Sequence, residues 1–142
     1  MITVKKLVFM AIALMLMTAA ASAATLTVTV SNCDSDQGCV SVALYNLDTR
    51  QQFGSGSGYY QGRQGNIHNG TATVAFPDLP DGTYAVAAFH DLECRGVLPT
   101  NFWGIPQAKY GFSNNYGKRP DFSLASFPVS GDMSLAIRLQ WY

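Results

Sequence analysis

The chain has 142 residues, 48% of them hydrophobic and only 13% charged, with nine basic and nine acidic side chains. A length of this order holds one domain, and a balanced charge without basic clusters argues against nucleic acid or an anionic membrane surface as a partner. Composition points to an aromatic-rich β-type domain and to no particular activity.

Residues 1–23 read as a cleaved signal peptide. Lys5 and Lys6 make a short positive start, residues 7–18 form an uninterrupted apolar core, and Ala21-Ser22-Ala23 offers small residues where a signal peptidase reads. The competing reading is an uncleaved anchor, which needs the apolar stretch extended through Ala24 to about 18 residues, the lower limit for a span. The small-x-small site favours cleavage. Cys33 lies too far past Ala23 to carry a lipoprotein anchor. The expectation is a single domain over residues 24–142, periplasmic or secreted, with no stable membrane insertion.

An oxidising destination turns the three cysteines toward disulfide chemistry. Cys33 and Cys39 flank Asp34-Ser35-Asp36-Gln37-Gly38, a turn-forming stretch. A Cys33–Cys39 bond would pin the turn and contribute about 2 kcal/mol. Cys94 is then the odd thiol; its pairing with either of the others would leave a different one free. Metal ligation by three scattered cysteines without a C-x-x-C spacing is disfavoured.

Thr25-Leu26-Thr27-Val28-Thr29-Val30 alternates with the period of a half-buried strand, and residues 40–45 repeat the pattern, so the two runs fit an antiparallel hairpin. Residues 51–69 hold Gly54-Ser55-Gly56-Ser57-Gly58 and read as a mobile loop. Residues 71–76 form a third strand and residues 77–82 a compact turn set by Pro and Asp-Gly. Residues 83–90 form the most apolar strand, placed centrally. Residues 91–124 have no periodicity but are dense in Gly, Pro, Asn and aromatics. Residues 126–129 read as a short edge strand, and residues 133–141 as a closing one. No amphipathic helix of useful length is present.

Short strands at hairpin spacing predict an all-β fold: a single antiparallel β-sandwich of about seven strands with one long aromatic loop. An outer-membrane barrel is the runner-up. Eight tilted strands of about ten residues would consume nearly the whole chain, and the aperiodic segment leaves too few.

Leu79-Pro80, Gly82 and Tyr84, followed by a strand, resemble prealbumin-like sandwich domains, including carboxypeptidase regulatory-like modules. The continuation is more specific: His90-Asp91, Gly96, Thr100-Asn101-Phe102-Trp103-Gly104-Ile105-Pro106 and Tyr110-Gly111-Phe112-Ser113-Asn114-Asn115. Together these resemble the bacterial exported family catalogued as domain of unknown function 2141, over essentially the whole mature chain, from about Leu26 to Leu139. The resemblance implies an envelope β-sandwich and carries no activity. The family pattern after His90 alternates oxygen side chains before a Gly turn, in the manner of a calcium loop. Here Asp91 and Glu93 survive as weak metal candidates, while Arg95 and Pro99 stand at two other donor positions. A fixed cation there repels a divalent ion, so no cofactor is expected. Two readings of Arg95 stand side by side: an internal cation that pairs with Asp91 or Glu93 and holds the loop without metal, or a solvated surface arginine.

His90 beside Asp91 invites a catalytic reading. Adjacent strand residues face opposite ways, however, and Ser113 does not sit in a nucleophile elbow. His90 is expected to end its strand and bond the following loop, His68 has no role, and no catalytic residue is assigned. The chain is expected not to be an enzyme. Aromatics beside amides can stack on sugars or present a protein hot spot; the plainer alternative is that Phe102 and Phe112 fill the sandwich end while the asparagines satisfy turn backbone. The expected ligand-binding surface comprises His90, Asp91, Trp103, Tyr110, Asn114 and Asn115, with Tyr59 and Tyr60 as neighbours. The functional expectation is an exported, non-catalytic envelope binding or accessory module acting on an unknown protein or glycan. Calcium-stabilised and carbohydrate-binding modules are the alternatives.

Overall fold

Period-two alternation sets most of the strands. In β1 (Ala24–Ser31) Leu26, Val28 and Val30 point inward and are fully buried, while threonines alternate outward. The computed structural model describes residues 23–142; the signal-peptide reading, apart from Ala23, lies outside the described residues. The remaining strands are β2 (Cys39–Asn46), β3 (Gln61–Asn66), β4 (Ala72–Leu79), β5 (Gly82–Asp91), β6 (Tyr110–Phe112), β7 (Phe127–Val129) and β8 (Met133–Arg138). One helical turn, α1 (Phe122–Ala125), is capped by the Asp121 side chain.

The strands form two sheets, one ordered β4-β1-β8 and the other β3-β2-β5-β6, with β7 also paired to β5. The main core lies between them, built from Leu26, Val28 and Val30 on one side and Val40, Val42, Leu44 and Val86 on the other, with Phe76, Ile137 and Leu139 closing it. The fold is thus an all-β sandwich of eight strands, one more than expected, and it is not wholly antiparallel because β8 runs parallel to β1. Leu79–Tyr84 acquires a physical reason. Asp78 adopts φ 58° where the β1–β4 register shifts, and the Tyr84 hydroxyl then reaches back to donate to the Pro80 carbonyl at 2.7 Å. That bond ties strand to preceding turn, as a tyrosine corner does.

Two expectations fail together. β1 and β2 do not form a hairpin: β1 pairs with β4 and β8, β2 with β3 and β5. Residues 32–38 instead cross from one sheet to the other. This crossover is pinned by Cys33 N–H on the Gly70 carbonyl, by Asp36 accepting from the Asn69 and Gly70 amides, and by Lys109 on Asp34 at 2.7 Å. The disulfide accordingly joins Cys39 to Cys94, with Cα atoms 5.7 Å apart, and Cys33 is the free thiol. The register explains the exchange. Cys39 lies opposite Asp91 across the β2–β5 ladder, and the turn after Asp91 folds Cys94 back, its N–H donating to the Asp91 carbonyl. Gly38 makes the approach possible: a Cβ there would lie 2.3 Å from that same carbonyl oxygen.

The segment read as one long loop contains β3. Its Gln-Gly-Arg-Gln-Gly-Asn sequence shows no apolar alternation, since it is an edge strand whose glycines are chosen for contact. A Cβ on Gly65 would come 2.8 Å from Val74 Cγ1 on the facing sheet. The aperiodic stretch likewise contributes β6, extended by a backbone pairing of Tyr110 with Gln140 that links the sheets at the opposite side.

Candidate functional site: a cleft on the outer face of the five-stranded sheet

The outward positions of β2 and β5 are small or apolar: Ser41, Ala43 and Tyr45 on one strand, Ala85, Ala87 and Phe89 on the other. A solvent-facing sheet would carry polar residues here, so this face needs a cover. Part of the cover is a second apolar cluster, in which Tyr45, Phe53, Ala85, Phe112 and Ala125 are buried and Tyr110, Tyr116 and Phe122 are packed around them. The cover stops short over Ala43 and Ala87, leaving an open cleft of about 830 Å³.

Three segments wall the cleft: Gly54–Gly56 with Tyr59, residues 95–98 with Thr100 and Pro106, and Tyr110 and Phe112 with Lys118 and Pro120. The size lies within the range of small-molecule sites, and so does the make-up of an apolar floor with few polar groups. Tyr45 lies at one side, fully buried. Burial pushes its phenol pKa up. Gly56, Ser55 and Gly54 lie close to its hydroxyl, which nonetheless makes no hydrogen bond.

A polar network holds one wall. Asp91, buried, accepts from the Ser41 hydroxyl at 2.7 Å, the Gly96 amide at 2.7 Å and the Arg95 amide at 3.2 Å. Gln64 adds bonds to Ser41 Oγ and to the Cys94 carbonyl. With the Cys39–Cys94 bond beside it, this network clamps residues 91–96 onto the sheet. Both Asp91 oxygens are therefore engaged by protein donors. The Arg95 guanidinium pairs with Glu93 at 2.8 Å, both side chains well exposed, and not with Asp91, which it meets only through its backbone.

The six residues expected to bind ligand do not converge. Tyr110 lines the cleft, its hydroxyl donating to the Lys118 carbonyl at 2.6 Å. His90 lies on the inner face, buried opposite Val40, with Nε2 2.8 Å from the Gln37 carbonyl. It therefore bonds the crossover before β2 and not the loop that follows it, because an inward side chain at the end of β5 meets that crossover. Asn114 donates to the Leu124 and Ser126 carbonyls. Asn115 pairs with the edge of β8, donating to the Ala136 carbonyl and accepting from the Arg138 amide. Ser113, fully buried, stands in for a strand partner by accepting from Val86 N–H and donating to the Ala125 carbonyl.

Trp103 sits outside the cleft at the tip of its loop, 80% exposed, stacked edge-on against Phe102, which is 92% exposed. Phe102 thus does not fill the sandwich end, whereas Phe112 is buried. The tip is held by Asn101, whose side chain accepts from the Trp103 and Ile105 amides. Sequence reasoning missed Ser41, Ala43, Gln64, Ala87 and Lys118. The signal for the floor was present: strands β2 and β5 are apolar or small on both faces, which marks a sheet covered on both sides.

The model of a family described as "Uncharacterized protein conserved in bacteria (DUF2141)" matches residues 28–136. The chain belongs to this family. The match runs from within β1 into β8 and so takes in both sheets, the cleft and the aromatic loop. No curated protein and no solved structure matches the chain. No helix among the described residues is long and apolar enough to cross a membrane.

Proposed function

We propose that this family member is an exported, non-catalytic binding module of the cell envelope, with its ligand seated in the outer-face cleft. The observation that carries the reading is the half-covered floor at Ala43 and Ala87, walled by aromatic rings and three loops. Export is supported by the leader-like composition of residues 1–23 and by the Cys39–Cys94 bond, which belongs to oxidising compartments. The non-catalytic reading is supported by the opposite facing of His90 and Asp91 and by a cleft lining that offers no carboxylate for acid–base work. In the same reading the loop after β5 needs no calcium, since Asp91 is already met by protein donors and Glu93 by Arg95. The two facing sheets and the Leu79–Tyr84 corner support a prealbumin-like kinship.

Ligand-detected NMR against a mixed panel of small apolar and amphipathic compounds tests the proposal. Saturable binding that disappears in a folded Ala87→Leu variant supports it; binding indifferent to that variant, or none across the panel, refutes it. The exposed Phe102–Trp103 tip carries a second reading, a glycan or protein contact made by the loop. Glycan-dependent tryptophan emission that is lost in Trp103→Ala would favour that reading over the cleft.

A further inference from the structure

We infer that the cleft selects ligands with an apolar body and an anionic end group, of the medium-chain or aryl carboxylate class; this rests on the reading of the cleft as a binding site. The charged residues in its lining are Arg63, Arg95 and Lys118, and no Asp or Glu joins them. The chain as a whole carries equal numbers of each sign, so the one-sided lining is a local property.

The three cations are not equivalent. Arg63 lies opposite Val42 in the β2–β3 register, and its guanidinium sits 5.5 Å from the centre of the Phe76 ring and bonds to Gln61, so its side chain is on the inner face and offers the cleft no anchor. Arg95 is shared with Glu93, but that pair is exposed and can open to a competing anion at little cost. Lys118 has no ion-pair partner among the described residues, and the Tyr110 hydroxyl holds its carbonyl at the cleft margin. Lys118 is therefore the principal anchor and Arg95 the second. Asp91, the closest buried acid, is outside the lining and surrounded by its own donors. Between the anchors, Ala43, Ala87, Phe89 and Phe112 offer a surface for hydrocarbon or an aryl ring. A cation is repelled by this lining, and a small hydrophilic anion leaves the floor unused.

The test is displacement of anilinonaphthalene sulfonate from the folded protein at low ionic strength by decanoate and by decanol, each below its aggregation limit. Decanoate should bind about fivefold more tightly than decanol, the gain expected of an exposed cation. High salt should erase most of that advantage. Lys118→Gln should remove it while leaving decanol unchanged, and Ala87→Leu should weaken both. Equal binding of the two compounds, or an advantage untouched by Lys118→Gln and Arg95→Gln, overturns the inference while the cleft stands as an apolar site. Failure of both compounds to bind, or binding indifferent to Ala87→Leu, removes the cleft reading itself.

Discussion

Truncating Asp91 to Ala tests whether the loop after β5 is held by protein donors or by a metal. The carboxylate is buried and accepts from Ser41 Oγ and from the Gly96 and Arg95 amides. An orphaned buried donor costs about 1–3 kcal/mol. Arg95 and Gly96 are exposed residues whose freed amides water can reach, and the Ser41 hydroxyl can rotate away from the vacated site, so the lower end applies to each. The sum is about 3 kcal/mol, a fall in melting temperature of roughly 12 °C for a domain of this size. Asp91→Asn keeps one acceptor oxygen and should lose about half as much. Arg95→Ala removes only an exposed pair and should cost less than about 1 kcal/mol. The assay is thermal and urea unfolding followed by circular dichroism, with excess chelator and then with added calcium. Two results would refute the reasoning: an Asp91→Ala loss below about 0.5 kcal/mol, the range of an ordinary surface substitution, or a wild-type melt that falls with chelator and recovers with calcium.

Three further expectations follow from other parts of the molecule. Reduction should cost about 4 kcal/mol, because the Cys39–Cys94 bond closes a loop across a sequence separation of 55; without reductant, alkylation should label Cys33 alone, and slowly near neutral pH, since burial pushes its thiol pKa up. The Gly70 and Asn69 amides hold the Asp36 carboxyl below its ordinary range. Its contribution to stability is therefore complete above the unfolded-state pKa and is lost as pH falls through the lower folded value, so the urea midpoints of wild type and Asp36→Ala should differ at neutral pH and converge in acid. Tyr45→Phe should leave the melt unchanged or raise it, because it deletes a buried hydroxyl without a partner; a loss above about 1 kcal/mol would show that the hydroxyl is bonded.

Strands that bury one face were legible from alternation alone, as β1, β4 and β8 show, and β5 declared its central place by being apolar throughout. β3 was not legible, because an edge strand needs no inward residues beyond Gly65, and glycine reads as loop. Pairing partners were harder still. Period two says which way a side chain points and nothing about which neighbour accepts the strand, so β1 and β2 looked like a hairpin although the crossover takes them to different sheets. The disulfide followed that error, since sequence proximity stood in for spatial proximity. At the site, the aromatic loop drew attention through its composition, while the floor at Ala43 and Ala87 is defined by side chains that are missing.

The pairing of β1 with β8 places a constraint on the order in which the molecule is completed. β1 is the middle strand of its sheet, yet one of its two partners is the last strand of the chain, and the Thr25 amide bonds to Asp132 across 107 residues. Contacts of such separation form late and slowly. Until residue 138 has emerged from the ribosome, β1 can pair along one edge only. If the chain is exported as proposed, that delay suits passage across a membrane as an unfolded thread, with the sandwich closing only on the far side.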